Sequence, residues 1–337
     1  MPIGVVVVAY NTGEMILDCL ESLLASEGAD VRIVVVNNAC RDDTPQIIRD
    51  WATGARVWTQ PDRLPFTPRD AAPVPLKEIA RPEGRVDSGE IVMINSPKNL
   101  GFAGGVNLGL KLLHAMPEIN DFWILNPDSM AETQTAAAYE AASRDANGHY
   151  SFMGGRVYYT QPPQMIQSDG GRVNLWLGNC YPHRLAQRGR DVPAPTLDEI
   201  DYFAGSNIVA SRQMIDTHGY MPEDYFLFFE EIDWCLSRGD LPLIRVEDGI
   251  VHHHGGATIG SAIVGKGPSE LAAYFMAKSR LRFVRRKNPL GYPTALAYTL
   301  GKALKYYRLG QKKAANAAFR GALGLKMPEG ARRVIEG

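Results

Sequence analysis

IGVVVVAY, residues 3–10, is the segment most diagnostic of the fold. Its β-branched residues are continuous rather than alternating, which is typical of a strand covered on both faces. No basic region precedes the run and no small-residue cleavage site follows it, so we interpret it as a buried strand rather than a signal peptide. The segment therefore predicts a sheet with helices on both sides.

Strands and helices alternate along the chain after this strand. Further buried strands are predicted at 31–36, 91–94 and 122–125, and helices are expected after the cap residue Thr12, from Thr44-Pro45 and over 103–113. Such alternation implies parallel pairing, so the fold class is α/β, with a Rossmann-like, mostly parallel sheet flanked by helices. Residues 61–90 contain six prolines and are predicted to form a long insertion loop without regular structure.

The second half of the chain is less regular. Strands are predicted at 152–159, 207–211 and 243–254, and a helix over 225–238 that mixes aromatic and acidic residues. A basic amphipathic helix is expected over 270–287, ended by Asn288-Pro289, with a helical pair from Pro293 to Leu325. A helical region therefore follows the α/β region.

Charge is unevenly distributed along the chain. The formal net charge is −1, but residues from Lys278 onward carry +13 and the remainder −14. Such a basic block favours an anionic partner, such as phospholipid headgroups or a lipid diphosphate, or it forms solvated helix faces. Nucleic acid is disfavoured because no RNP, KH or finger signature accompanies the charge. Four cysteines without a CxxC pair fit a reducing cytoplasm, and no apolar run reaches the roughly 18 residues of a membrane span.

Two segments carry carboxylates suited to chemistry. In NPDS, residues 126–129, Asp128 closely follows a strand, where it can hold Mg²⁺ or Mn²⁺ on a diphosphate or belong to a plain turn. In FLFFEEIDWC, residues 226–235, three acids lie among apolar side chains: Glu230, Glu231 and Asp233. Apolar surroundings and like charges raise a carboxyl pKa, which suits a general base, although acidic residues are also typical of a helix N-terminus.

Two further segments bear on ligand binding. In VHHHGG, residues 251–256, His252 and His254 share one face of a strand, where an imidazole can complete a metal shell or belong to a polar loop. In NLGFAGGVN, residues 99–107, small residues open a helix and allow backbone N–H groups to approach a phosphate. The second segment lacks the GxGxxG spacing, so a hydride-transfer enzyme is disfavoured.

Taken in order, these segments resemble the inverting family 2 glycosyltransferases of the GT-A fold, and in particular their rhamnosyltransferase-like branch. The matching stretches are VVVVAYN (5–11), VVVNNACRDDT (34–44), NSPKNLGFAGGVN (95–107), ILNPDS (124–129), MPEDYFLFFEEIDWCLSR (221–238) and VHHHGGAT (251–258). The resemblance implies a GT-A nucleotide-diphospho-sugar transferase fold over residues 1–265, with the insertion loop at 61–90. Residues 266–337 then form a basic, helical C-terminal extension.

The resemblance also implies roles for single residues at the reaction and donor sites. Glu231 matches the catalytic base, and Asp233 and Glu230 are expected to orient and support it. The residues expected at the nucleotide-diphosphate site are Tyr10, Asn11, Asn37, Asn99, Gly101, Gly104, Gly105, Asn107, Asn126 and Lys278. Asn37 occupies a position usually held by Asp, which leaves the base preference open, and Lys278 lies near a position often held by Arg.

A metal site is implied in the same way. Asp128 matches the last carboxylate of the family's DxD motif, whose first position is held here by Asn126. His252 best matches the histidine that joins the metal or diphosphate site, with His254 as the fallback on the same face. The resemblance therefore implies Mg²⁺ or Mn²⁺ as cofactor.

The implied activity is metal-dependent sugar transfer with inversion. The donor is expected to be dTDP-L-rhamnose or a UDP-hexose, and the acceptor a saccharide or a polyprenyl-diphosphate-linked sugar in cell-surface polysaccharide synthesis. The enzyme is then cytoplasmic, peripheral at the anionic inner face of the bacterial plasma membrane, with C-terminal helices that offer a surface for a homodimer. Two alternatives stay open: a non-catalytic nucleotide-sugar-binding scaffold, and a sugar-nucleotide pyrophosphorylase, which needs a Gly-rich basic loop where Tyr10-Asn11-Thr12 stands.

Overall fold

A computed structural model describes residues 1–70, 72–255 and 267–336. The strands are β1 Ile3–Ala9, β2 Val31–Asn37, β3 Leu76–Ile79, β4 Ile91–Asn95, β5 Asp121–Leu125, β6 Ser129–Ala131, β7 Phe152–Gly154, β8 Val157–Tyr159, β9 Ile166–Ser168, β10 Gly171–Asn174, β11 Asn179–Pro182, β12 Asn207–Ser211, β13 Leu243–Arg245 and β14 Val251–His253. The α-helices are α1 Met15–Leu24, α2 Thr44–Ala52, α3 Gly101–His114, α4 Thr135–Asp145, α5 Arg212–His218, α6 Glu230–Cys235, α7 Glu270–Lys287, α8 Tyr292–Arg308, α9 Lys312–Ala322 and α10 Glu329–Glu336. The first half of the chain follows the predicted alternation.

The main sheet is built around β1. Within the described part of the chain it has eight strands, in the order β13-β7-β12-β5-β1-β2-β4-β3. β1 pairs in parallel with β2 and β5, whereas β12 runs antiparallel between β5 and β7. Val5 and Val7 belong to the core on one face with α1, α2 and α4, and Val6 and Val8 to the core on the other with α3. Both faces of β1 are therefore buried, as its continuous apolar run predicts.

A second sheet, with strand order β6-β14-β8-β9, carries the histidine segment. The strands predicted over 152–159 and 243–254 are each divided in two: β7 and β13 pair in the main sheet, and β8 and β14 pair in the second. Between the sheets the two backbones approach closely, because a Cβ on Gly155 would lie 2.0 Å from Gly249 O. The prediction of single strands is wrong because apolar patterning does not report such a crossing.

Three further predictions are corrected by the structure. The loop 61–90 contains the edge strand β3, which pairs in parallel with β4. The helix predicted over 225–238 is reduced to α6, because Phe228 and Phe229 adopt positive φ angles of 67° and 74°. Thr12 does not cap α1. Its backbone N–H donates to Thr44 Oγ1 (3.0 Å), and the helix begins at Met15.

The C-terminal helices share the hydrophobic core of the α/β region. α7 has the predicted bounds, and α8 and α9 form the predicted helical pair. Phe283 of α7 contacts Phe229, with ring centroids 5.2 Å apart, and Phe275 stacks on Phe226 at 4.9 Å. The expected domain boundary at 265/266 lies outside the described residues. No helix in the described ranges combines the length and the apolar character needed to cross a bilayer.

Candidate active site

A cavity of about 570 Å³ opens at the carboxyl ends of β1, β2 and β5, where parallel α/β sheets bind ligands. Seven of the residues predicted for the site line it: Tyr10, Asn99, Gly101, Asn126, Asp128, Glu230 and Glu231. The other predicted residues are not part of its lining: Asn11, Asn37, Gly104, Gly105, Asn107, Asp233, His252, His254 and Lys278. The cavity thus brings the predicted base and the predicted metal-motif aspartate into one enclosure.

Glu231 reaches the cavity from the first turn of α6. The loop before α6 is fixed to the start of α3, because the Phe102 N–H donates to Phe226 O (3.0 Å). Gly101 permits this contact, since its φ is +73° and a Cβ there would lie 2.4 Å from Phe226 O. The glycine of the predicted donor loop therefore sets the path of the chain that carries Glu231.

The two adjacent glutamates differ in how tightly they hold a proton. Burial raises the pKa of Glu230 well above its ordinary value, and the charge of Glu231 adds to the rise. Glu230 Oε2 has no hydrogen-bond partner among the described residues. Burial also raises the pKa of Glu231, to about 7. Since Glu230 keeps its proton more tightly, Glu231 is the member of the pair that ionises near neutral pH, as a general base must.

Asp233 contacts helix α7 rather than the cavity. It is fully buried, and its carboxylate accepts from Tyr225 Oη (3.0 Å), Arg286 Nη1 (3.1 Å) and Lys287 Nζ (2.6 Å). Both cations belong to α7, so Asp233 joins α6 to the C-terminal helices. The expectation that Asp233 orients Glu231 stays a prediction.

Asp128 lies next to His253 and not next to the predicted His252. His253 Nε2 is 3.0 Å from Asp128 Oδ1. Burial raises the pKa of Asp128, but the charges of His253 and His254 and the hydrogen bond outweigh it, so the pKa lies below its ordinary value. His252 instead contacts Glu132 Oε1 at 3.0 Å, and His254 donates its backbone N–H to Asp128 O at 3.0 Å.

The alternation of side chains along β14 explains why His253, and not His252, contacts Asp128. Val251 is buried in the core of the main sheet, so His253, two residues on, shares its inward face. His252 faces the other way, where its ring lies 5.5 Å from that of Tyr158. The apolar residue at 251 is the sequence signal that identifies His253.

The first N–H groups of α3 are already bonded within the protein. The Leu100 N–H donates to Asn38 Oδ1 (3.0 Å), the Gly101 N–H to Asn99 Oδ1 (2.9 Å), and the Phe102 N–H to the loop before α6. The expectation that these groups approach a phosphate is therefore not met in this structure. Asn38 and Asn99 line the cavity in their place.

Later residues of α3 serve packing. A Cβ on Gly105 would lie 2.6 Å from Val8 Cγ1, so this glycine lets the helix lie directly on β1. Gly104 likewise is absent from the cavity lining. Asn107 is buried and donates to Met221 O (2.8 Å), which ties α3 to the segment leading to α6. These three residues pack within the protein. Contrary to the prediction, none of them lines the cavity.

Tyr10 is one of the predicted donor-site residues that line the cavity. Its hydroxyl donates to Val334 O of α10 (2.7 Å), and Val334 lines the same cavity. Asn37 ends β2, where its Nδ2 donates to Asn95 Oδ1 (2.8 Å). Asn11 follows β1, and its Oδ1 accepts a backbone N–H from the loop after β2 (2.8 Å). These two asparagines thus shape the ends of the strands and do not line the cavity.

Lys278 is exposed, and the cavity is lined instead by Arg280 of α7 and Lys302 of α8. Residues 278 and 280 point to different faces because successive helical positions turn by about 100°. Arg280 lies three residues after the buried Ala277 and four before the buried Val284, a spacing that marks the inward face of α7. Arg280, Lys302, Asn38 and His253 were absent from the predicted set.

Asp128 and His253 together fit part of a divalent metal site. His253 Nδ1 lies 2.6 Å from Gln167 Oε1 and donates to it, which leaves Nε2 directed at Asp128 and Asn126. One carboxylate and one imidazole, completed by diphosphate oxygens, form a donor set that Mg²⁺ or Mn²⁺ accepts. No group of three His, Cys, Asp or Glu side chains suited to a metal occurs in the part of the chain that the structure describes.

Residues 4–64 match the family described as Glycosyl transferase family 2. This segment of the chain is similar to family 2 glycosyltransferases. The match spans β1 and β2 and thus includes Tyr10, Asn11 and Asn37. The predicted resemblance to family 2 glycosyltransferases is confirmed over this segment, whereas the glycosyltransferase activity and the rhamnosyltransferase-like branch stay predictions.

A curated relative matches part of this chain. It is the low-salt glycan biosynthesis hexosyltransferase Agl10 of Haloferax volcanii, which is 26% identical over 154 residues. The match covers 43% of this chain and 45% of Agl10, so the chain spans less than half of the length of that relative.

Two solved structures are similar over most of the chain. TarS 1–349 of S. aureus in complex with UDP-GlcNAc has a TM-score of 0.52 and 14% identity, covering 99% of this chain and 84% of that chain. Mannosyltransferase PcManGT from Pyrobaculum calidifontis in complex with GDP-Man and Mn²⁺ has a TM-score of 0.49 and 14% identity, covering 95% and 86%. The similarity to TarS confirms the predicted GT-A-like α/β fold with C-terminal helices.

Proposed function

We propose that the protein transfers a sugar from a nucleotide diphosphate to an acceptor hydroxyl, with inversion at the anomeric carbon. One observation supports this above all. A single cavity is lined by Glu231, whose pKa is about 7, and by the Asp128–His253 pair after the parallel strands. A base that ionises near neutral pH, in the same enclosure as a site for a charged leaving group, is what an inverting transfer requires.

In the proposed reaction, Glu231 accepts the proton of the acceptor hydroxyl. The acceptor oxygen bonds to the anomeric carbon from the face opposite the diphosphate, and the bond from that carbon to the diphosphate oxygen breaks. The bonding electron pair leaves with the nucleoside diphosphate, and Glu231 keeps the proton. Glu230 stays protonated because burial raises its pKa, so it adds no second negative charge beside the base.

A divalent cation would be held by Asp128 and His253 and would supply positive charge to the diphosphate. Gln167 orients His253 for this role through Nδ1. Mg²⁺ and Mn²⁺ are both proposed, because each accepts carboxylate, imidazole and phosphate ligands.

The nucleotide of the donor is identified by calorimetric titration of the protein with UDP, dTDP and GDP, with and without Mn²⁺. We expect one nucleotide to bind in the presence of Mn²⁺, and Asp128→Asn to weaken that binding about tenfold or more. Failure of all three to bind to folded protein overturns the proposal. Turnover of a donor sugar by the wild type, lost in Glu231→Gln, separates the enzyme from the non-catalytic scaffold.

The proposed acceptor is a saccharide or a lipid-linked sugar in glycan synthesis, reached from the inner membrane surface. The net charge of +13 from Lys278 onward supports attraction to anionic lipid. We expect flotation with phosphatidylglycerol vesicles that declines as salt rises, because exposed charges are screened. Flotation that is insensitive to salt contradicts this location. A homodimer through the C-terminal helices stays a prediction, which light scattering checks.

A further inference from the structure

Two cations of the C-terminal helices line the cavity without a carboxylate partner. Arg280 is 4% exposed and Lys302 is half-buried. Among the described residues, no Asp or Glu forms an ion pair with either of them. On the same helix as Arg280, by contrast, Arg282 and Arg286 pair with Asp224. The other partly buried cations of α7, Arg282 and Lys287, therefore have carboxylate partners, whereas the buried Arg280 has none over the described ranges.

The contacts that these cations make leave their charge unneutralised. Arg280 Nε donates to Gly178 O (3.0 Å), and within the described chain its two terminal nitrogens have no hydrogen-bond partner. The Arg280 guanidinium carbon and Lys302 Nζ lie 5.4 Å and 5.3 Å from the ring centroid of Tyr298. A cation–π contact stabilises a buried cation by less than the burial of its unpaired charge costs.

Without a ligand this arrangement disfavours the folded state. Burial lowers the pKa of both groups, and the positive charge of Arg280 lowers the pKa of Lys302 further. Two like charges are thus held around one tyrosine ring at a cost in free energy. An anion between them removes that cost, and sites that bind ligands commonly carry such unfavourable features.

Arg280 and Lys302 line the same cavity as Glu231 and Cys180, and Arg280 Nε donates to Gly178 O, two residues before Cys180. The Cys180 thiol lines the cavity and is influenced by the charges of Glu231, Arg280 and Lys302. Asp128, in contrast, is influenced by the histidines at the end of β14. The charged groups of the cavity therefore divide into a donor end, with Asp128, and an acceptor end, with Glu231 and the cations.

We infer that Arg280 and Lys302 form a subsite that binds a phosphate group of the acceptor, close to the base. This inference rests on the proposed function and adds a substrate class to it: an acceptor that carries phosphate near its reacting hydroxyl. The free nitrogens of an arginine and a lysine ammonium together suit the oxygens of a phosphate. A soluble sugar phosphate and a lipid-linked diphosphate both present this group.

The test is calorimetric titration of inorganic phosphate into the full chain, saturated with its nucleotide and Mn²⁺. Lys302→Met keeps an unbranched side chain and removes the charge, and we expect it to weaken phosphate binding about tenfold or more. Lys305→Gln, an exposed lysine on the same helix, is the matched control and is expected to change affinity by less than about twofold. Equal phosphate affinity in Lys302→Met and wild type overturns the inference.

Thermal unfolding separates a binding role from a structural one. Because Lys302→Met removes repulsion at a half-buried site, we expect its Tm to rise without ligand. A lower Tm together with unchanged phosphate affinity marks a structural lysine and overturns the inference. Arg280→Lys, which keeps the charge but loses the planar fork, provides a second variant at the more deeply buried position.

Titrations with and without nucleotide distinguish this inference from the proposed function. Phosphate binding that depends on Lys302, in a protein that binds no nucleotide, keeps the subsite and removes the transferase proposal. Displacement of phosphate by the nucleotide overturns the placement of the subsite at the acceptor end. Farnesyl diphosphate binding about tenfold tighter than pyrophosphate supports a lipid-linked source, whereas equal affinities and binding of glucose 1-phosphate support a soluble one.

Discussion

The two ends of the cavity are built from different kinds of structure. The proposed donor end uses residues that follow or end strands: Tyr10 after β1, Asp128 after β5, and His253 in β14. The proposed acceptor end uses helices, with Glu231 on α6 and Arg280 on α7. Parallel strands place their carboxyl ends at one edge of a sheet, so the first set follows from topology. The second set depends on how helices distant in sequence pack together.

The sheet edge is a general feature of the fold, whereas the cations of the C-terminal helices are particular to this chain. Parallel α/β sheets bind ligands at the carboxyl ends of their strands, and the family match covers β1 and β2 of that edge. The helices α7 and α8 supply cations that the sheet does not provide. We therefore expect substitutions at the donor end to alter nucleotide binding, and substitutions at the acceptor end to alter turnover or acceptor choice.

The largest effect is expected from Glu231→Gln. The amide cannot accept the acceptor proton, so kcat is expected to fall about 10²–10⁴-fold while the nucleotide Kd stays within about threefold. The free energy of unfolding at about pH 8 is expected to rise on the order of 1–3 kcal/mol, because burial raises the pKa of Glu231 to about 7 and the amide removes the buried charge.

Glu230→Gln is the matched control for that variant. Burial already keeps Glu230 protonated, so a neutral amide of the same shape is expected to reduce kcat by less than about tenfold. A larger loss in Glu230→Gln than in Glu231→Gln would show that the two glutamates exchange roles, and the acceptor end would need to be reassigned.

Several elements could be predicted from the sequence because their determinants are local. The continuous apolar run of β1 predicts a strand buried on both faces, and α7 has the bounds that its pattern and Asn288-Pro289 indicate. Asp128 and Glu231 were also placed correctly in one cavity, although the resemblance to the family contributed as much as the residues did. Local patterns thus give elements and the edge of the sheet.

Other parts of the site depend on contacts between distant segments. His253 was missed because the face of β14 is set by the buried Val251, and Arg280 because packing decides which face of α7 lines the cavity. The loop before α6 breaks the predicted helix because Phe226 O accepts from the Phe102 N–H, which leaves Phe228 and Phe229 in the left-handed region. The spacing from Val251, and from Ala277 and Val284, does mark the inward faces of β14 and α7, but no periodicity in the sequence reports the break before α6.

The pH dependence of turnover tests the acceptor end further. Below about pH 7 we expect kcat to fall about tenfold per unit, because Glu231 must be ionised and burial raises its pKa to about 7. The neighbouring Glu230, Cys180 and Tyr202 have pKa values raised by burial and stay neutral in this range. An acid limb near pH 4.5, the ordinary value for a glutamate, contradicts the assignment.

Stability is linked to the same titration. The pKa of Glu231 is raised in the folded state, so its protonated form stabilises the fold at low pH. That contribution is complete below the unfolded value of about 4.5 and is lost as the pH rises through about 7. Denaturant titrations of wild type and Glu231→Gln, compared across this interval, are expected to show the loss in the wild type alone.

A matched pair of histidines tests the donor end. His253→Gln is expected to weaken metal-dependent nucleotide binding about 10–100-fold, because Nε2 lies 3.0 Å from Asp128. His252→Gln is expected to change it by less than about threefold, because His252 contacts Glu132 outside the cavity. Calorimetry with Mn²⁺ measures both. Equal losses in the two variants would contradict the conclusion that His253 faces the cavity and His252 faces away from it.

The smallest effect on turnover is expected from Asp233→Asn, which tests whether the junction of α6 and α7 at the acceptor end controls the geometry of Glu231. Asp233 is fully buried, bonded to Arg286 and Lys287 of α7 and not part of the cavity lining. Loss of one partner of a buried ion pair costs about 3–5 kcal/mol, so the free energy of unfolding is expected to fall substantially. At low temperature, where the variant stays folded, kcat is expected within about threefold of wild type because α6 keeps its packing. A large fall in kcat with an unchanged pH profile would show instead that the α6–α7 junction fixes the geometry of Glu231, so that acceptor chemistry depends on the C-terminal helices directly.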